Sequence, residues 1–147
     1  MEILKDFKEL FELFNVHHVD YLIIGSYALA FYGAPRLTAD IDVLVKPDTS
    51  NAKRILDALS DFGFQSVGLV QADFEKSGQV IQLGVPPVRI DILTSLTGVS
   101  WEDSFLGKVS GRYGDVPVFF LGKKEFIANK KATGRKKDLA DIEALDE

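Results

Sequence analysis

Apolar side chains fall along this chain in two rhythms, one of three to four residues and one of two, and the changes of rhythm mark its elements. Leu4, Phe7, Leu10, Phe11 and Phe14 recur at three- and four-residue steps, which puts them on one face of an opening amphipathic helix. Tyr21 to Ile24 then reads as a short buried strand. Gly25-Ser26 breaks it before a compact apolar helix, Tyr27 to Tyr32, that ends at Gly33. From Asp40 to Val45 acidic and branched apolar residues alternate, the period of a strand, and Pro47 closes it. Ile55, Leu56, Leu59 and Phe62 make the next helical face, capped by Asp48, Thr49 or Ser50 and ended by Gly63.

Further strands are expected at Val80 to Leu83 and Val88 to Leu93, joined by a hairpin through Gly84, Val85, Pro86 and Pro87. Thr94 to Gly114 is the least legible stretch; Trp101 starts a short helix there, and a strand returns at Val116 to Leu121. Lys123 to Ala132 is helical, Gly134 to Lys137 forms a basic joint, and Asp138 caps a final helix that turns Leu139, Ile142 and Leu145 inward. No repeat, low-complexity tract or long linker divides the chain, so a single domain over 1–147 is expected, with a C-terminal helical segment over about 122–147.

Composition narrows the chemistry. With 147 residues there is room for one proper core and one active site. The absence of cysteine excludes disulfides, thiolate zinc and a cysteine nucleophile. His17 and His18 are adjacent and cannot both face one ion from a regular element, so they read as helix-end residues. Any metal must then be held by oxygen, which favours Mg²⁺, with Mn²⁺ as the alternative. The N-terminal MEILKDFKEL lacks the basic start and apolar middle of a secretory signal, and Tyr21 to Pro35 is too short to span a bilayer. A cytoplasmic location with no membrane partner is the expectation. A net charge of −5 argues against sequence-blind adhesion to nucleic acid, while leaving a local basic site around Arg135, Lys136 and Lys137.

Asp40 and Asp42 stand two apart on the predicted strand and so project from one face, with Ile41 and Val43 on the other. Side-by-side carboxylates repel unless a cation sits between them, and a divalent metal is the natural occupant. A solvated strand face is the bland reading, although Asp is depleted in strands. Asp91 lies between Ile90 and Ile92 on a second strand; if that strand lies beside the first, three carboxylates converge, a number suited to a two-metal centre. Taken alone, such an acid is more commonly a strand-end residue paired with Arg89 or a lysine. Gly25 and Ser26 join a strand to a helix, where free N–H groups can receive a phosphate, although many such serines only cap helices. Lys130 and Arg135 could reach a triphosphate or a nucleic-acid acceptor. Lys137 could instead pair with Asp138 or Asp141, and Lys136 reads as a solvated joint. Arg36 and Thr38, in the loop before Asp40, could position a phosphate or orient an aspartate, although a surface-loop arginine needs no function.

Gly25-Ser26, a spacer of thirteen residues, Asp40-Ile41-Asp42-Val43 and the later Asp91 together resemble the signature of the DNA polymerase β-type nucleotidyltransferase superfamily. Gly25-Ser26-Tyr27-Ala28-Leu29, Tyr32-Gly33, Pro35-Arg36 and Thr38 are most similar to its small prokaryotic branch, which includes the AbiEii-type toxin nucleotidyltransferases. The likeness continues through Lys130, Arg135, Lys137-Asp138 and Asp141. It implies an α+β nucleotidyltransferase fold, a short mixed sheet with helices packed on one side and the metal site at the sheet edge. It also implies Asp40, Asp42 and Asp91 as metal ligands and Ser26 as a triphosphate contact.

The expected activity is transfer of a nucleoside monophosphate from an NTP, with ATP among the candidates, to a hydroxyl or phosphate acceptor, with release of pyrophosphate. Asp91 is best placed to take the acceptor's proton. The acceptor is open among tRNA or other RNA, protein and a small molecule, and a toxin–antitoxin role is compatible with each. So short a chain leaves little for an acceptor domain, so a homodimer or an antitoxin partner could complete the cleft. The alternative is a non-catalytic nucleotide-binding or partner-binding module on the same fold.

Overall fold

In the computed structural model, residues 3–34, 40–63, 68–85 and 88–145 are described. Six strands form one mixed sheet: β1 (Tyr21–Ile24), β2 (Asp40–Val45), β3 (Val80–Leu83), β4 (Arg89–Leu93), β5 (Val109–Tyr113) and β6 (Val116–Phe120), in the spatial order β3-β4-β2-β1-β6-β5. The helices are α1 (Lys5–Val16), α2 (Gly25–Phe31), α3 (Thr49–Phe62), α4 (Trp101–Leu106), α5 (Lys123–Thr133) and α6 (Lys136–Leu145), with a 3₁₀ turn at Gln71–Phe74. The class is α+β, as the sequence resemblance implied. No described helix is long and apolar enough to cross a membrane.

Each element follows from its pattern. The α1 face of Phe7, Leu10, Phe11 and Phe14 is fully buried, and Phe11 and Phe14 meet the Tyr21 ring of β1. Burial of such side chains contributes roughly 2 kcal/mol each, so this face, more than helix propensity, holds α1 in place. Helix α3 turns Ala52, Ile55, Ala58 and Leu59 into the same core; Asp48 caps its start by accepting from the Asn51 N–H at 2.7 Å, and Gly63 ends it at φ +109°. On β2 and β4 the residues Ile41, Val43, Ile90 and Ile92 are fully buried, and Asp40, Asp42 and Asp91 on the other side are only partly covered.

The register that matters is set at the middle of the sheet. Strand β2 runs antiparallel to β1, with Ile24 opposite Asp42, and parallel to β4, with Asp42 opposite Asp91. Asn51 pins the far end of this arrangement. Its fully buried amide accepts from the Asp20 N–H at 2.8 Å and donates to the Asp20 carbonyl at 3.1 Å and the Lys46 carbonyl at 3.0 Å, tying the start of β1 to the end of β2.

Several boundaries differ from expectation. Helix α2 starts at Gly25, because glycine can take the φ of +65° needed where strand passes into helix. Strand β5 was not anticipated: Gly111 interrupts its pattern, and what makes it a strand is pairing with β6 across the Gly114 turn. Asp138 stands inside the first turn of α6 and not before it; its Oδ2 accepts from the Arg135 N–H at 3.3 Å at that helix start, and the carboxylate is fully buried. Pro35, Arg36 and Thr38, and the Pro86-Pro87 pair of the expected hairpin, lie outside the described residues.

Replacing Asn51 by leucine would take their partner from two backbone groups, the Asp20 N–H and the Lys46 carbonyl, each costing about 1–3 kcal/mol, while the Asp20 carbonyl would keep the Lys46 N–H at 3.2 Å. Urea unfolding of Asn51→Leu should therefore show a loss of about 2 kcal/mol or more. A midpoint equal to wild type would remove Asn51 from the account of the register.

Candidate active site

Beside Asp42 the partly covered face of the sheet opens into a cleft of about 470 Å³, lined by Gly25, Asp42, Asp91, Lys130 and Arg135 among others. Its acidic wall is produced by strand pairing. Neighbouring strands lie about 4.8 Å apart, and the parallel register leaves Asp42 and Asp91 no choice but to face one another. Burial, then the charges of Asp91 and Asp40, push the Asp42 carboxyl up from its ordinary 3.8 to about 6. The charge of Lys130 works in the opposite direction.

Arg89 supplies a further cation. Its Nε donates to Asp91 Oδ1 at 3.2 Å, its Nη2 to Asp91 Oδ2 at 3.4 Å, and its Nε lies 3.7 Å from Asp40 Oδ2. The pairing of Asp91 with Arg89 that the sequence left open is therefore present, together with the convergence on Asp42. Among the described residues no group of three or more acidic or histidine side chains is arranged to hold a metal ion. Asp40 stands opposite Arg89 in the ladder, and Asp42 and Asp91 form the close pair.

Gly25 abuts this pair. A methyl group at its Cα would collide with Asp42 Oδ2, and the backbone there is left-handed, so both the space and the conformation call for glycine. Ser26 follows in the first turn of α2, half-buried. Arg36, the other phosphate contact expected from sequence, lies outside the described residues.

The opposite wall comes from the joint between α5 and α6, and its organiser is Asp138. This fully buried carboxylate accepts from Thr133 Oγ1 at 2.7 Å, from Arg135 Nε at 2.8 Å and Nη2 at 3.2 Å, and from Lys130 Nζ at 3.5 Å. Burial alone would raise its pKa; the hydrogen bonds from Arg135 and Thr133 and the charge of Lys130 outweigh that and hold it well below the usual carboxylate range. Lys130, also 3.8 Å from Asp141, is lowered from its ordinary value by burial. Sequence reasoning had read Asp138 as a helix cap or a partner of Lys137; the positioning of Lys130 and Arg135 was missed. The signal lay in the spacing, because Arg135 and Asp138 stand three apart at a helix start and meet on one face.

No family model matches the chain, and no curated protein matches it. Solved structures do match in fold. TM1012 of Thermotoga maritima, assigned as a nucleotidyltransferase, superposes with a TM-score of 0.59 at 17% identity, over 95% of this chain and 88% of that one. The antibiotic-resistance factor ANT(2'')-Ia gives 0.58 at 11% identity, over 95% and 80%. The lincosamide antibiotic adenylyltransferase LnuA, bound to lincomycin, gives 0.53 at 12% identity, over 100% and 99%. The fold is that of nucleotidyltransferases.

Two consequences can be measured. Gly25→Ala should cost about 1–2 kcal/mol through the left-handed backbone and the collision with Asp42, read as a lower urea midpoint. An unchanged midpoint would mean that Gly25 does not shape the site. Because the folded chain holds the Asp42 proton more tightly than an unfolded chain would, this group favours the fold at low pH, and that contribution is lost as pH rises through about 6. Thermal unfolding without metal should accordingly show Asp42→Asn more stable than wild type at pH 8, by a margin that shrinks as pH falls from about 6 toward 3.8. A difference independent of pH would contradict the raised proton affinity of Asp42.

Proposed function

We propose that this chain is a metal-dependent nucleotidyltransferase that moves a nucleoside monophosphate from an NTP to a hydroxyl or phosphate acceptor and releases pyrophosphate. The observation that carries the reading is the facing pair Asp42–Asp91 in one cleft with Gly25, Lys130 and Arg135. Two crowded oxygen donors, one with its proton affinity raised by burial and then by the charge of the other, are the environment that a divalent cation relieves.

Mg²⁺ suits the donor set, since it takes one or two carboxylates and completes its shell with water and phosphate oxygens; Mn²⁺ would be held in the same way. Asp42 and Asp91 would hold it, with Asp40 joining where Arg89 yields. When bound, the ion would neutralise triphosphate charge and favour ionisation of the attacking hydroxyl. The chain's own residues supply the rest. Lys130 and Arg135, oriented by Asp138, offer charge to the phosphates, and the Gly25 turn lets the backbone come close to them. Asp91, held by Arg89, takes the proton of the acceptor.

The adenylyltransferase named among the similar structures supports ATP as the donor. A place in a toxin–antitoxin pair, with tRNA as acceptor and an antitoxin or a second copy as partner, is the version that the sequence resemblance implies, and it differs only in the acceptor. Action in the cytoplasm accords with ATP as donor.

Incubation with each labelled NTP, Mg²⁺ and either total RNA or small-molecule extract should release pyrophosphate, and Asp42→Ala should reduce the rate about a thousandfold. NTP binding without turnover toward any acceptor would instead identify a non-catalytic module. Absence of metal-dependent NTP binding would end both readings.

A further inference from the structure

Helix α6 carries its exposed charges against its own dipole. A helix is positive at its N-terminal end and negative at its C-terminal end, so acids are favoured early and bases late. On α6 the exposed charges run the other way: Lys136 and Lys137 open the helix, Glu143 lies in its closing turn, and that turn holds no base. The one acid of the first turn, Asp138, is buried and engaged with Arg135, Thr133 and Lys130. Helix stability therefore does not account for the outer charges.

Pairing within the helix does not account for them either. The positions three and four residues after Lys136, and three and four before Glu143, are the same two, Leu139 and Ala140. Neither Lys136 nor Glu143 makes an ion pair among the described residues.

These four residues form one strip. At 3.6 residues per turn Lys136, Leu139, Ala140 and Glu143 fall on one side of the helix, opposite the buried Asp138, Asp141 and Leu145. All four are exposed, Leu139 by 48%. The strip is thus apolar in the middle, basic at one end and acidic at the other. Lys136 and Glu143 stand equally far to either side of the step from Leu139 to Ala140. A strip with that symmetry is complementary to a copy of itself turned end for end. Lys136 then meets Glu143 of the second copy, Leu139 meets its Ala140, and each helix dipole gains an antiparallel neighbour. A polyanion lying along the same strip would meet Glu143.

We propose that α6 is a homodimer interface, in which the outer strips of two copies pack antiparallel about a two-fold axis at the step from Leu139 to Ala140. With 10 residues the helix is about 15 Å long, less than a standard interface spans, so the association is of the weak, transient class. The buried side of each helix holds Asp138 and Asp141, which engage Lys130 and Arg135, so the pair braces the basic wall of each cleft from behind. The inference is independent of the nucleotidyl transfer proposed above; pyrophosphate release, or its absence, does not bear on it.

Sedimentation velocity of the full chain in low salt, from low to high micromolar concentration, tests the interface. The expected result is a concentration-dependent shift from monomer to dimer that added salt weakens. Lys136→Glu and Glu143→Lys should each weaken the association about tenfold or more, because a two-fold axis makes every substitution count twice. The double variant, Lys136→Glu with Glu143→Lys, restores opposite charges across the axis and should associate like wild type. The chain has no cysteine, so a single introduced thiol reads the geometry directly. Ala140→Cys, beside the axis, should oxidise to a disulfide-linked dimer, and Val16→Cys, 69% exposed at the end of α1, should not. All these positions are exposed, and circular dichroism should show each variant folded as wild type.

A chain that stays monomeric at every concentration would overturn the proposal. So would a dimer that neither single reversal weakens, which would place the interface elsewhere, or a double variant that associates no better than the singles. Binding of a short RNA oligonucleotide to a persistent monomer, lost in Lys136→Glu, would give the strip to nucleic acid and overturn the proposal as well.

Discussion

Two carboxylates held opposite one another on adjacent strands repel by on the order of 3 kcal/mol at a separation near 5 Å and an effective dielectric of about 20. The pairing of β2 with β4 imposes that situation on Asp42 and Asp91, and the structure around them is organised to bear it. Arg89 binds Asp91 and approaches Asp40, and Lys130 lends its charge across the cleft. Burial, together with the charge that remains uncompensated, raises the proton affinity of Asp42. Such a site is costly for folding, and on the proposed reading a divalent ion with an anionic substrate would turn that cost into affinity.

The surrounding elements serve this pair through rigid supports. Asn51 fastens the ends of β1 and β2, which keeps Ile24 opposite Asp42 and so keeps the Gly25 turn against the carboxylate. Asp138 does the same for the basic wall, trading its own burial for three cationic or hydroxyl partners and thereby fixing Lys130 and Arg135 at the cleft.

Much of this was legible in the chain because it is local. Alternation places Asp40 and Asp42 on one face whatever surrounds them, and the helical spacing of Phe7, Leu10, Phe11 and Phe14 permits one buried stripe. The neighbourhood of Asp42 and Asp91 was not legible by the same means, because strand adjacency is a long-range fact; only the resemblance pointed to it. Strand β5 escaped notice because its residues satisfy no period on their own and become a strand through β6. Asp138 was read only as a cap or a partner of Lys137 because an acid at a helix start is ordinarily a cap, and nothing in its neighbours reveals that α5 returns Lys130 and Thr133 to it.

The central claim is that Asp42 and Asp91 form a divalent-cation site for a triphosphate. Calorimetric titration of Mn²⁺ with a non-hydrolysable ATP analogue at pH 6, in two buffers of different ionisation enthalpy, tests it most directly. The account predicts that wild type releases about half a proton more per chain than Asp42→Asn, since a carboxyl titrating near 6 is half protonated there and must ionise to bind the metal. Equal affinity and equal proton release in the two proteins would contradict it.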